Sequence, residues 1–204
     1  MYFVIINNTD RSETQMKKIP TLFERIFENN KKVGILPNVT TGMEWVLEGK
    51  GIATIKYDGS CCAIINGKFY KRYDAKHGKK APKEAIPCCE PDPITRHHPH
   101  WVAVNRDEPS DRWFCAAYDE TPKADLAEGT YEAIGVHFNG NKYNLDKDIL
   151  VRHGENVVDV KRTFEGIKKY LEEHDVEGIV FWNEGEPKCK IKRSDFGFCW
   201  PTKG

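Results

Sequence analysis

The sequence predicts an α+β protein: antiparallel sheets flanked by helices. Three observations predict this. Short strand-like runs are separated by Asp58-Gly59 and Asn66-Gly67, both strong hairpin-turn dipeptides. The segment Lys161–His174 carries apolar residues at helical spacing. The 204 residues are 39% hydrophobic and 11% aromatic, which supplies a real core, and a chain of this length buries roughly 70% of its unfolded surface.

The elements follow in order. Tyr2–Ile6 is apolar, too short for a signal or a membrane span, and predicts a strand. Thr21-Leu-Phe-Glu24 has the form of a capping box and predicts a short helix carrying Ile26 and Phe27. Ile52–Lys56, Ser60–Ile65 and Lys68–Tyr73 predict three strands of a meander, joined by the two tight turns. Residues 76–112 hold Pro82, Pro87, Pro91, Pro93, Pro99 and Pro109 and predict an irregular insertion. Trp113–Tyr118 and Thr130–Phe138 predict two further strands, the second closed by Asn139-Gly140. Thr163 is the expected N-cap of the helix, with Phe164, Ile167 and Leu171 on one face. Val176–Trp182 is an apolar strand interrupted by Glu177 and Gly178, Asn183–Glu186 turns the chain, and Lys188–Lys192 alternates lysine with Cys189 and Ile191.

Charge and cysteine usage narrow the class. Lys+Arg 31 balance Asp+Glu 31, which excludes a polycationic nucleic-acid binder and an acidic tail. The balance is only global. Lys68, Lys71, Arg72, Lys76, Lys79, Lys80 and Lys83 cluster, as do Lys188, Lys190, Lys192 and Arg193, and this suits a focused phosphate-handling site. The seven cysteines include two adjacent pairs and no framework spacing, so reduced thiols in a cytoplasmic setting are expected, with no membrane segment. Cys88-Cys89 and the histidines at 97, 98 and 100 match no common zinc spacing. Trp101 and Trp113 could stack bases, although packing is the commoner use of such residues.

Five places carry residues suited to chemistry. Lys56 ends a strand just before Asp58-Gly59, a rigid setting for a nucleophilic amine, although a solvated hairpin lysine is the plain alternative. Glu177 interrupts an apolar strand and needs a cation or a metal beside it. Lys188, Lys190 and Lys192 share one strand face, as an anion clamp would require or as an edge strand resisting aggregation would show. Arg72 and Glu132 complete the set, each on a predicted strand.

Taken in order, Lys56-Tyr-Asp-Gly-Ser-Cys-Cys62, Arg72, Glu132-Ala-Ile-Gly135 with Asn139-Gly-Asn141, Val151-Arg-His-Gly154, Glu177-Gly-Ile-Val180, Lys190-Ile-Lys192 and Phe196-Gly-Phe-Cys-Trp-Pro201 resemble the covalent nucleotidyltransferase superfamily. The resemblance runs from about Gly51 onward. It is strongest to the small ATP-dependent 5′-to-3′ RNA ligases of the vertebrate RNA ligase group.

That resemblance implies an ATP-grasp-like adenylyltransferase fold; at 204 residues a single domain spanning 1–204 is expected, with no room for a C-terminal oligonucleotide-binding domain. It implies ATP as substrate, Mg²⁺ or Mn²⁺ as cofactor, and RNA ends bearing a 5′-phosphate and a 3′-hydroxyl as partners. Lys56 is then the nucleophile that becomes lysyl-AMP, its pKa lowered by the cations Lys190 and Lys192, which also meet the α-phosphate. Glu177 holds the metal, Arg72 and Glu132 contact ribose and phosphate, and Val180 packs on adenine. Ile55 stands where several such ligases have a glutamate that reads adenine, so base reading is expected from Thr54 or from backbone at Ile55. His153 takes the place of the usual aromatic stacker. A GTP-using capping-type enzyme, a DNA ligase and a non-catalytic relic of the fold remain the alternatives.

Overall fold

The computed structural model describes residues 16–75 and 80–201. Along the chain run β1 (Phe23–Glu28), β2 (Lys31–Val39), β3 (Ile52–Lys56), β4 (Ser60–Ile65), β5 (Lys68–Ala75), β6 (Ile86–Pro87) and β7 (His98–Ala103). Then follow α1 (Arg112–Glu120), β8 (Gly129–Ile134), β9 (Ile149–Arg152), α2 (Phe164–Glu173), β10 (Gly178–Asn183) and β11 (Glu186–Lys192). Every strand pair is antiparallel, so the chain is α+β with antiparallel sheets and few helices, consistent with a nucleotidyltransferase-like fold.

The described residues form two compact units. One comprises Gly59–Arg152 with Met16 and Lys17; the other comprises Lys18–Asp58 and 153–201.

The first unit is a six-stranded sheet ordered β6-β7-β5-β4-β8-β9. Its β4–β5 hairpin turns at Asn66-Gly67, both with positive φ as a two-residue hairpin requires. Period 2 sorts the β4 side chains. Cys62 and Ile64 join Tyr131, Ala133, Leu150 and the aromatic side chains of α1 in one core cluster. Cys61 and Ala63 lie in another, with Trp101 and Cys88.

The second unit holds a three-stranded sheet ordered β11-β10-β3 and the β1–β2 hairpin. Its core gathers Leu22, Phe23, Ala53, Ile167, Leu171, Ile179, Phe181, Cys189 and Ile191. Helix α2 begins where expected: the Thr163 hydroxyl accepts a hydrogen bond from the Gly166 amide, and Ile167 and Leu171 are fully buried. The β10–β11 turn places Glu184 and Gly185 at positive φ. Both sheet edges are covered: Pro20–Leu22 bonds the backbone of Lys190, and 156–158 bonds that of Ala53 and Ile55.

Five expectations are corrected. Thr21–Glu24 opens strand β1 and no helix. A capping box is only a local signal; here Thr21 bridges Lys190, and Asn29-Asn30, both at positive φ, turn the chain into β2. Trp113–Tyr118 is helical. Its aromatics suggest a strand, but Trp113, Phe114, Ala117 and Tyr118 lie at i, i+1, i+4 and i+5, a helix stripe facing the core, and Pro109 starts the preceding turn. Asp58-Gly59 joins no hairpin, because β3 pairs with β10 while β4 pairs with β5 and β8. The strand from Thr130 stops at Ile134, since Gly135 takes φ 133° and lies close against the Lys147 carbonyl. The span 76–112 contains β6 and β7, and β7 pairs along β5. Tyr2–Ile6 lies outside the described residues. Among the described residues no helix is long and apolar enough to cross a membrane.

Thr163→Ala should lower stability by about 1 kcal/mol in urea unfolding, with an unchanged urea dependence. An unaltered midpoint would contradict the cap.

Candidate nucleotide site

Strand register assembles the lysine cluster. Gly178 of β10 sits opposite Lys56 of β3 on one side and Lys192 of β11 on the other. Two residues along, Val180 lies between Thr54 and Lys190. One face of this sheet therefore carries Lys56, Thr54, Val180, Lys190 and Lys192. The alternate positions Ala53, Ile179, Phe181, Cys189 and Ile191 fill the core. Ile55 falls in the core-side alternation, and its amide donates to the Asn156 carbonyl at 2.9 Å.

Gly178 is required here by space: a Cβ would stand 2.2 Å from the Ile191 carbonyl oxygen. Just before it, Glu177 is buried at 6% exposure. Lys56 Nζ meets its Oε2 at 2.5 Å, and Lys192 Nζ meets its Oε1 at 2.5 Å. The expectation that a carboxylate in this strand must find a cation is met twice over.

Lys190 shares the face. Its ammonium is pushed down to about 8, first by burial and then by Lys56, Lys192 and Arg25, against the pull of Glu177. Three lysines face one carboxylate, so the cluster has surplus positive charge.

The segment after β11 is held rigidly. The buried Arg193 guanidinium donates to the carbonyls of Leu171, His174 (2.6 Å) and Cys199 (3.0 Å). Burial raises the Asp195 carboxyl, but the Lys32 hydrogen bond, the Lys192 amide and Arg25 outweigh it and leave its pKa lowered. Two tryptophans not expected at this site also contact its residues. Trp182 donates to the buried Thr54 hydroxyl at 2.9 Å, and Trp200 donates to Asp58 at 2.8 Å. Both contacts span more than a hundred residues, so no local pattern could reveal Trp182. Trp200 had only its place in the Phe196–Pro201 text. His153 follows β9 and opens the second stretch of this unit, half-buried.

Arg72 and Glu132 belong to the other unit. Arg72 pairs with Asp74 at 3.2 Å. Burial disfavours its charge, but Cys61, Asp74 and Glu132 more than offset this, and its pKa is raised. Glu132 Oε1 accepts the Gly59 amide at 3.0 Å, while Asn139 Nδ2 donates to the Gly59 carbonyl at 2.8 Å. A Cβ at Gly59 would lie 2.1 Å from the Ala133 carbonyl oxygen, so β8 passes too close for any other residue. The structure thus gathers Thr54, Lys56, Glu177, Val180, Lys190 and Lys192 at the three-stranded sheet of the second unit, and Gly59, Glu132 and Asn139 around β8 and its neighbouring loops in the first.

Metal-holding capacity is narrow. Among the described residues no group of three or more His, Cys, Asp or Glu could hold a metal ion. Glu177 is the carboxylate of the lysine cluster. A hydrated Mg²⁺, which takes one or two carboxylates plus substrate phosphates, fits this donor set; a caged Ca²⁺ or Zn²⁺ does not.

A family model described as RNA ligase 1 matches residues 115–204. A protein named RNA ligase 1 from Rattus norvegicus is 26% identical over 74% of this chain and 68% of its own length. The protein of that name from Pongo abelii is 25% identical over the same shares. The one from Danio rerio is 36% identical over 40% of this chain and 28% of its own. These matches support an RNA ligase-type family. The stretch matched by the family model carries Glu132, Glu177, Lys190 and Lys192, so the carboxylate and two of the three clustered lysines lie within the likeness.

The depressed Lys190 has a measurable consequence. Between about 8 and its ordinary 10.5 the unfolded chain binds a proton at this lysine that the folded chain lacks, so stability gains with rising pH. Comparing the wild type with Lys190→Met isolates this contribution. The wild type should be the less stable near pH 7, with the gap narrowing from pH 8 upward. A gap independent of pH would contradict the burial of this charge.

Proposed function

We propose that this chain is an ATP-dependent RNA ligase that works through a covalent lysyl-AMP, with Lys56 as nucleophile. The observation that carries the reading is the cluster itself: a strand-held lysine on a buried carboxylate, flanked by two further lysines, with surplus positive charge awaiting an anion.

The chemistry follows from the side chains. The triphosphate would occupy the lysine face, its α-phosphate oxygens drawn to Lys190 and Lys192. With Lys192 turned to the phosphate, Glu177 would be the carboxylate that holds a divalent cation. That cation, when bound, would offset phosphate charge. The Lys56 proton leaves along its hydrogen bond to Glu177 Oε2. The freed amine attacks the α-phosphorus, a P–N bond forms, the α–β P–O bond breaks, and pyrophosphate departs. Lys190 and Lys192 stabilise the charge that grows on the α-phosphate oxygens in the transition state.

The AMP then passes to the 5′-phosphate of an RNA end and restores the free lysine. Attack by a 3′-hydroxyl on the activated phosphate seals the strand and releases AMP. Within its own unit, Thr54 stands beside Val180 with its hydroxyl oriented by Trp182, a fitting place for the base edge. Glu132 and Arg72 supply a carboxylate and a guanidinium suited to ribose and phosphate. A cytoplasmic location accords with the unpaired cysteines.

Incubation with α-labelled ATP and Mg²⁺ should give an acid-labile covalent label, absent in Lys56→Ala. Glu177→Gln should reduce the labelling rate by roughly 10²–10³-fold. No label from any nucleotide would refute the enzyme reading, and label from GTP alone would favour a capping-type guanylyltransferase.

A further inference from the structure

The first unit contains a second ordered cluster outside the lysine face. His137 lies just past β8, and its backbone amide and ring Nδ1 both bond the buried Asp148 carboxylate, at 2.9 and 2.7 Å. Its ring is stacked on Trp113 at 3.3 Å between centroids with 6° between planes. The Arg112 guanidinium lies over the same indole at 4.4 Å. Asp148 is held in place by the two hydrogen bonds it accepts from His137 and by the close approach of Gly135. The His137 side chain is nonetheless 36% exposed.

Each contact fixes something. A carboxylate only accepts, so Nδ1 carries the hydrogen that faces Asp148, and a ring with no second proton presents its lone pair at Nε2. The indole fixes the ring plane. What remains is an oriented, partly exposed imidazole near a guanidinium, the indole between them being covered by His137 and Arg112. A nucleotide unit of RNA offers matching parts: a ribose hydroxyl to donate and a phosphate for the arginine.

We infer that His137, set by Asp148 and Trp113, is a ribose-hydroxyl subsite that favours RNA over DNA. This rests on the RNA-ligase reading for its ligand and adds a specificity residue to it.

The test uses the full chain without ATP and measures fluorescence anisotropy with a short single-stranded oligoribonucleotide and the same sequence as DNA. The wild type should bind the RNA about five- to tenfold more tightly, the size of one hydroxyl hydrogen bond. His137→Phe keeps a ring against Trp113 but has no acceptor, and His137→Ala removes it without adding bulk. Both should bring the ratio close to one, measured where circular dichroism shows them folded. An unchanged ratio in either variant, or no RNA preference in the wild type, overturns the inference. A second arm compares ATP with 2′-deoxy-ATP in lysyl-AMP formation. If His137→Phe alters that preference instead, the hydroxyl belongs to the nucleotide and the RNA assignment falls. Failure of the wild type to form lysyl-AMP would refute the adenylyl-transfer reading separately, because the binding ratio is measured without ATP.

Discussion

Burying the Glu177 carboxylate is the interaction on which the candidate site depends. An unpaired carboxylate at 6% exposure would cost several kcal/mol. The register of three strands prevents that cost. Gly178, with no side chain, lets β11 close in on β10, and its two cross-strand neighbours are Lys56 and Lys192. Each lysine reaches one carboxylate oxygen. The same geometry crowds Lys190, whose lowered pKa reflects burial and the other cations.

Packing supports this balance from several sides. Arg193 ties the end of β11 to the last turn of α2 and to Cys199, and Asp195 gathers Arg25 and Lys32 from the β1–β2 hairpin. Trp200 holds Asp58, two residues after Lys56. The text around Lys56 thus has separable structural causes. Lys56 belongs to the carboxylate, Asp58 to Trp200, and Gly59 to the close passage of β8, with its amide on Glu132. Lys56, Asp58 and Gly59 are each fixed by a neighbour distant in sequence.

That also explains what could be read beforehand. The lysine alternation in β11, the Asn66-Gly67 turn and the Thr163 cap depend on periodicity or on neighbours within a few residues, and all three appear as expected. Glu177 announced its need for a cation because a charge in an apolar strand has few alternatives. Elements whose fate is decided at long range were misread. Trp113–Tyr118 has strand-like composition but a helix-like stripe, and the stripe prevails because it packs on the sheet. Thr21–Glu24 has the letters of a cap, yet Lys190 captures Thr21. Asp58-Gly59 looks like a hairpin, yet β3 and β4 find partners elsewhere. The Trp182–Thr54, Trp200–Asp58 and His137–Asp148 contacts leave no periodic trace, so only the folded chain reveals them.

The most direct measurement is the location of the covalent adduct. After reaction with ATP and Mg²⁺, peptide mass spectrometry should place AMP on Lys56, the lysine that the proposed reading makes the nucleophile. AMP on Lys190 or Lys192 instead, or no adduct on any lysine of the cluster, would contradict the account.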